Sequence, residues 1–147
     1  MHLTTFTDYS LRVLIHVATA PEGRTTIAQI AQSYAISENH LVKVVHLLGR
    51  HGLLLNSRGR GGGLALGRPA SEINVGAVVR LAEGGDFPAE CFEEGSTCAI
   101  ASACRLAGVL ADAMAAFYAV LDRYSVADLV ENPQRLASII HFHHRAS

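Results

Sequence analysis

Two short apolar runs, Leu53-Leu54-Leu55 and Leu64-Ala65-Leu66, bracket the segment Asn56-Ser57-Arg58-Gly59-Arg60-Gly61-Gly62-Gly63. Four glycines in eight residues rule out a helix there, because each costs about 1 kcal/mol relative to alanine in a helix interior. The flanking runs are of strand length and too short for helices of their own. The segment is therefore expected to be the tip of a β-hairpin, long and cationic. A phosphate-binding nucleotide loop is the rival reading. It lacks a Gly-Lys-Ser/Thr ending, and no helix opens directly after it.

The chain before the hairpin sets its meaning. Cap-type residues at Thr5-Phe6-Thr7-Asp8 open a helix in which Leu11, Leu14, Ile15 and Ala18 recur at helical spacing and are predicted to face the core. Pro21-Glu22-Gly23 ends it. A second helix is predicted from Thr26 to about Tyr34, with Ile27, Ile30 and Ala31 inward. Ala35-Ile36-Ser37 forms a short turn, and Ser37 caps a third helix that Gly52 stops after His51.

At ~100° per residue, Leu41, Val44, Val45 and Leu48 share one side of the third helix. Asn39, Lys43, His46 and Arg50 share the other. The outward side carries no acid after Glu38 and begins with Asn39 and His40, where recognition helices meet base edges. Two helices joined by a tight turn, followed by a hairpin, give a mainly α fold with a small β-hairpin wing: a winged helix-turn-helix. Ser37, Asn39, His40 and Lys43, with Arg58, Arg60, Gly61 and Gly62 of the wing tip, are the candidate DNA-binding residues. Arginines on a flexible glycine backbone suit phosphates or a narrow minor groove.

Charge divides along the same line. Residues 1–80 hold eight Arg/Lys against four Asp/Glu (net +4), and residues 81–147 hold four Arg against nine Asp/Glu (net −5). Only the front half is suited to a polyanion. No apolar run approaches the ~18 residues of a transmembrane span, and no signal peptide is legible, so a cytoplasmic location is expected.

All three cysteines lie in Cys91-Phe-Glu-Glu-Gly-Ser-Thr-Cys98-Ala-Ile-Ala-Ser-Ala-Cys104, with Asp86, Glu90, Glu93 and Glu94 around the first two. On a continuous helix Cys98 and Cys104 would stand ~240° apart and could not share a small site. Cys91 and Cys98 are therefore expected on irregular backbone, with Cys104 near the start of the next helix. A disulfide leaves one thiol over and suits the wrong compartment. Structural zinc wants four N/S ligands and usually a tight Cys-x2-Cys pair. An iron–sulfur cluster and a thiol redox switch both remain open from the spacing. A cysteine-dependent enzyme is disfavoured, because no acid–base partner is evident beside the thiols.

The next helix is predicted to reach about Tyr124. Leu106, Leu110, Ala113, Phe117, Val120 and Tyr124 follow a 4-3-4-3-4 spacing, a heptad seam expected to pair with a second copy. Ser125 and Asp128 form a capping-box pattern for a short helix, and Pro133 opens another. Three parts result: a DNA-binding domain over 1–83, a cysteine loop over 84–104, and a dimerisation helix with short C-terminal helices over 105–147.

LTTFTDYSLRVLIH, PEGRTTI, ISENHLVKVV, RGRGGGLALGRPASEINVGAVVR, ACRL and LDRYSVADLVEN together resemble the family of iron–sulfur winged-helix regulators that includes IscR and RirA, and most nearly its nitric-oxide-sensing branch. The resemblance spans nearly the whole chain. It implies a dimeric, non-enzymatic repressor whose Cys91, Cys98 and Cys104 hold an iron–sulfur cluster, [4Fe-4S] in preference to [2Fe-2S]. IscR-like members place a histidine ligand three residues after the last cysteine; here that position is Ala107. The nitric-oxide-sensing branch implies instead a carboxylate from the other subunit, at Asp8. Cluster damage by nitric oxide is then expected to release DNA and derepress nitric oxide detoxification genes. Sensing of iron or cluster supply, or a thiol switch, are the alternatives.

Overall fold

Thr4 opens the first helix: its hydroxyl accepts the Thr7 N–H, and α1 runs Thr5–Thr19. The computed structural model describes residues 2–20, 23–57, 59, 62–84, 99–100, 104–132, 134–136 and 138–140. A second helix, α2 (Ile27–Tyr34), starts with a capping box between Thr26 and Gln29. Its C-cap residue, Ala35, sits in the left-handed region at φ 53°, and α3 follows as Glu38–Arg50. Strands β1 (Leu54–Ser57) and β2 (Gly63–Leu66) pair antiparallel, with Leu54 opposite Leu66 and Ser57 opposite Gly63. A 3-10 turn at Ala70–Glu72 leads into α4 (Val75–Glu83), and after the cysteine segment come α5 (Leu106–Leu121) and α6 (Val126–Leu129). Residues 134–136 and 138–140 are also helical. Among the described residues no helix is long and apolar enough to cross a membrane.

The helix-turn-helix, the wing and a mainly α architecture are as expected. Leu41, Val44, Val45 and Leu48 are buried, and join Val13, Leu14, Val17, Ile30, Leu54, Leu64, Ile73, Val78 and Val126 in one core. The wing is fixed to the head from behind. Thr25 and Leu64 exchange backbone hydrogen bonds of 3.1 and 2.7 Å, so Thr25 acts as a one-residue third strand. That approach requires Gly63, at φ 153°, because a Cβ there would lie 2.6 Å from the Thr25 carbonyl oxygen. Arg68 secures the other end, donating to the carbonyls of His51 and Gly52 at the close of α3.

Three expectations need correction. The buried residues of α1 are Thr7, Ser10, Val13, Leu14, His16 and Val17, while Leu11, Ile15 and Ala18 are only half-buried. A single apolar stripe misplaces the face because α1 is packed by both α3 and α4. Its buried hydroxyls can be tolerated because they are bonded: Ser10 donates to the Phe6 carbonyl at 2.8 Å, and Thr7 donates to Glu83. The cap of α1 is Thr4, one residue ahead of the predicted cap segment. Finally, α5 ends at Leu121, so Tyr124 is outside the helix. Its carbonyl instead receives the Val75 N–H at 2.9 Å, at the start of α4.

Glu83 ties the end of α4 to the beginning of α1. Its Oε1 accepts the Thr4 amide at 2.9 Å, the Thr4 hydroxyl at 3.0 Å and the Thr7 hydroxyl. A carboxylate at this point also faces the positive end of the helix. Desolvation pushes the Glu83 carboxyl up, but the Thr7 and Thr4 donors outweigh it and hold the group below the usual carboxylate range. The folded form thus binds its proton more weakly than the unfolded one. The resulting support is complete above the ordinary glutamate pKa of ~4.3 and is lost as pH falls through the lower folded value. Urea unfolding midpoints of the wild-type protein should therefore drop on acidification from pH 6 to pH 3. The drop should be smaller in Glu83→Gln, which keeps an acceptor but cannot titrate. Superimposable pH profiles would show that the clamp contributes nothing.

Candidate nucleic-acid interface and metal site

The outward arc of α3 is presented as the sequence predicts. Asn39, His40, Lys43, His46 and Arg50 are all exposed, opposite the buried Leu41, Val44, Val45 and Leu48. Ser37 stands at the N-cap with extended backbone, φ −61° and ψ 133°, yet its hydroxyl makes no capping hydrogen bond. The Ser37 carbonyl accepts the His40 and Leu41 amides at 3.1 and 3.2 Å. Its exposed side chain therefore adds a donor and acceptor beside the helix amino end, where backbone N–H groups favour anions. The His40 ring lies 6.3 Å from the Tyr9 ring. Lys43 shares a depression of about 250 Å³ with His40, Thr5, Phe6 and Tyr9, so the first turn of α1 flanks the recognition face.

In the wing, Gly62 donates to the Gly59 carbonyl at 2.9 Å, turning the chain at the tip. Arg58, Arg60 and Gly61 lie outside the described residues. Arg68, the next cation along, is occupied by the α3 carbonyls. A residue that pattern reading passed over is Val42, which is 51% exposed between Asn39 and His46. The available signal was angular: position 42 falls off the arc of the four core residues although its side chain is apolar.

Cys104 is half-buried two residues ahead of α5, and the Leu106 N–H points to its Sγ at 3.4 Å. Cys91 and Cys98 lie outside the described residues, and among the described ones no three His, Cys, Asp or Glu side chains are grouped to hold an ion. Asp8 occupies the first turn of α1, 45% exposed, with Oδ1 2.9 Å from Arg12 Nε. The Arg12 guanidinium is in turn 5.8 Å from the Tyr34 ring centroid. Thr7, beside Asp8, donates to Glu83, and the next residue after Glu83 leads toward the cysteines. A soft sulfur donor such as Cys104 suits an iron–sulfur cluster better than a hard cation.

Among the described residues α5 stands out as a long helix that packs on α4 without burying a side chain. It has no buried residue, although Asp112 is its single charged side chain. Leu106, Val109 and Val120 are 55, 60 and 46% exposed. Of the predicted seam, Leu110 and Phe117 are partly covered, while Leu106, Ala113, Val120 and Tyr124 are exposed. The far end of α5 is joined firmly to the head. Asp122 receives both Arg80 nitrogens at 2.7 Å, and the Arg80 guanidinium lies 4.2 Å from the Tyr118 ring centroid.

A family model described as "Rrf2: Iron-dependent Transcriptional regulator" matches residues 3–132. Two relatives named HTH-type transcriptional regulator NsrR are each 45% identical. One, from Shouchella clausii, aligns over 97% of both chains; the other, from Bacillus subtilis, aligns over 95% of this chain and 97% of its own. The structure of CymR, the global cysteine regulator of B. subtilis, superposes with a TM-score of 0.68 at 29% identity, covering 89% of this chain and 97% of that one. IscR of T. potens shares the fold at a TM-score of 0.72 and 24% identity, over 90% and 88% of the two chains. The two NsrR relatives are named as transcriptional regulators, not enzymes, and the two solved structures share this fold. The chain belongs to the Rrf2 family of iron-dependent transcriptional regulators.

Proposed function

We propose that this chain is a homodimeric transcriptional repressor whose hold on DNA responds to nitric oxide through an iron–sulfur cluster. The observation that carries the DNA-binding part is the α3 face, where Asn39, His40, Lys43, His46 and Arg50 are all exposed and no acid interrupts them after Glu38. Asn39 suits bidentate contact with adenine, and Lys43 suits guanine or phosphate. The Ser37 hydroxyl and the adjoining helix amides fix a phosphate. Arg58 and Arg60, carried by Gly61 and Gly62, reach phosphate or the minor groove. Two copies joined along α5 would place two such faces at half-sites one helical turn apart, ~34–36 Å, or a multiple of it.

Cys91, Cys98 and Cys104 would hold the cluster, [4Fe-4S] by preference, with Asp8 of the partner subunit as the further ligand. When bound, the cluster supplies iron that reacts with nitric oxide. The chain's own part is mechanical. An Asp8 engaged across the dimer fixes the first turn of α1 to the other subunit's cysteine segment; a released Asp8 has Arg12 as its partner at 2.9 Å. Because α1 packs directly on α3, the position of that turn bears on the spacing of the two recognition faces. A second reading, iron or cluster-supply sensing through the same residues, is favoured by the family's description as iron-dependent.

Anaerobically purified protein should be coloured and should lose promoter DNA on exposure to nitric oxide; retention of colour and binding after exposure would contradict the proposal. Loss of DNA on chelator treatment, with indifference to nitric oxide, would favour the second reading. Lys43→Ala and Arg58→Ala should each weaken binding and lower the salt-dependence slope by about 1 while leaving the absorbance spectrum intact. Leu106→Glu combined with Val120→Glu should give a folded monomer by analytical ultracentrifugation, with operator affinity reduced at least tenfold. A dimer that persists in this variant would remove α5 from the interface.

A further inference from the structure

Val42 is not part of the buried core. It is 51% exposed in the interior of α3, a setting in which a β-branched side chain is a poorer helix former than alanine. Its neighbours on the helix surface are Glu38 at i−4, Asn39 at i−3 and His46 at i+4, all polar and exposed, and the buried Val45 at i+3. It forms part of the wall of a depression of about 430 Å³ that Ile27, Val45, His46, Gly49, Arg50 and Asn56 also line. The recognition face is thus not uniformly polar. It carries one branched apolar group at its edge, beside the hydrogen-bonding side chains of Asn39 and His46.

In the major groove the thymine C5 methyl is the apolar feature of the base edges, and apolar side chains are what read it. Asn39 and Val42 are separated by ~4.5 Å along the helix axis, at 1.5 Å per residue, against ~3.4 Å between base pairs on one strand. We propose that Val42 is a specificity-determining residue that recognises a thymine methyl next to the base pair contacted by Asn39. This rests on the DNA-binding reading above and adds recognition of the methyl group itself, which hydrogen-bonding residues do not read. A cytosine at that position presents an amine donor to the apolar side chain, so it would be disfavoured. Uracil differs from thymine by the methyl alone.

The test uses the full-length protein and a duplex enriched from a random pool by that protein, with each thymine replaced singly by deoxyuridine. Wild type should lose about fourfold in affinity at one thymine per half-site, the equivalent of ~0.8 kcal/mol for one buried methyl-sized group. Val42→Ala should bind the thymine and uracil duplexes within about 1.5-fold of each other, with an unchanged thermal midpoint and dimer mass. Lys43→Ala should bind both more weakly yet keep the fourfold ratio. The proposal is overturned by a ratio that survives in Val42→Ala, by a wild-type protein indifferent to every thymine methyl, or by loss of the dimer in Val42→Ala, which would assign the side chain to a protein contact. If wild type enriches no sequence at all, the DNA-binding reading fails with it, an outcome separable from the others.

Discussion

The first helix is held from three directions. α3 packs on one flank and α4 on another, and Glu83 takes up donors from Thr4 and Thr7 at the amino end. The helix turn fixed by Glu83 also carries Asp8, exposed on the surface. A displacement at that turn would therefore bear on α3 through packed side chains and on the end of α4 through Glu83. Close-packed interiors transmit such shifts because they deform little. The winged head is organised around α1 although α1 itself supplies no residue to the predicted DNA-binding set.

The second constraint is the apolar helix α5. Its surface includes Leu106, Val109 and Val120, yet none of its side chains is buried. Such a surface is costly in water. It is attached to the head by the paired Arg80 and Asp122, with Tyr118 against the guanidinium. Asn74 reinforces the same junction by donating to the Asp122 and Tyr124 carbonyls at 2.7 and 3.3 Å. A partner helix seated on α5 would consequently set the position of α4, and through Glu83 that of α1. α5, α4 and α1 are thus joined in series, by Arg80 with Asp122 at one junction and by Glu83 at the other.

Much of this was legible from local signals. Gly52 closing α3, the capping box of Ser125 with Asp128, and the turn at Ala35 all depend on residues within a few positions of one another. The core face of α3 was legible because its buried residues, Leu41, Val44, Val45 and Leu48, are all apolar and recur at helical spacing. The core face of α1 was not, since two neighbouring elements cover it and the buried Ser10 and Thr7 hydroxyls find acceptors no periodicity reveals. The pairing of Thr25 with Leu64 was equally hidden, because it joins positions far apart in the sequence. Among candidate site residues, Ser37, Asn39, His40 and Lys43 are exposed together, and Cys104 precedes α5 as expected. Val42 escaped notice because an apolar residue in a helix is ordinarily assigned to the core. Tyr124 was drawn into the seam by a spacing that continues past the physical end of the helix.

The central claim is that the cysteine segment and α1 work across two copies of the chain. Native mass spectrometry of anaerobically purified protein addresses it most directly. The account predicts a dimer whose excess mass corresponds to iron and sulfide on each chain, absent from Cys104→Ala. An iron-free protein that shows the same dimer mass and the same DNA affinity as Cys104→Ala would contradict it.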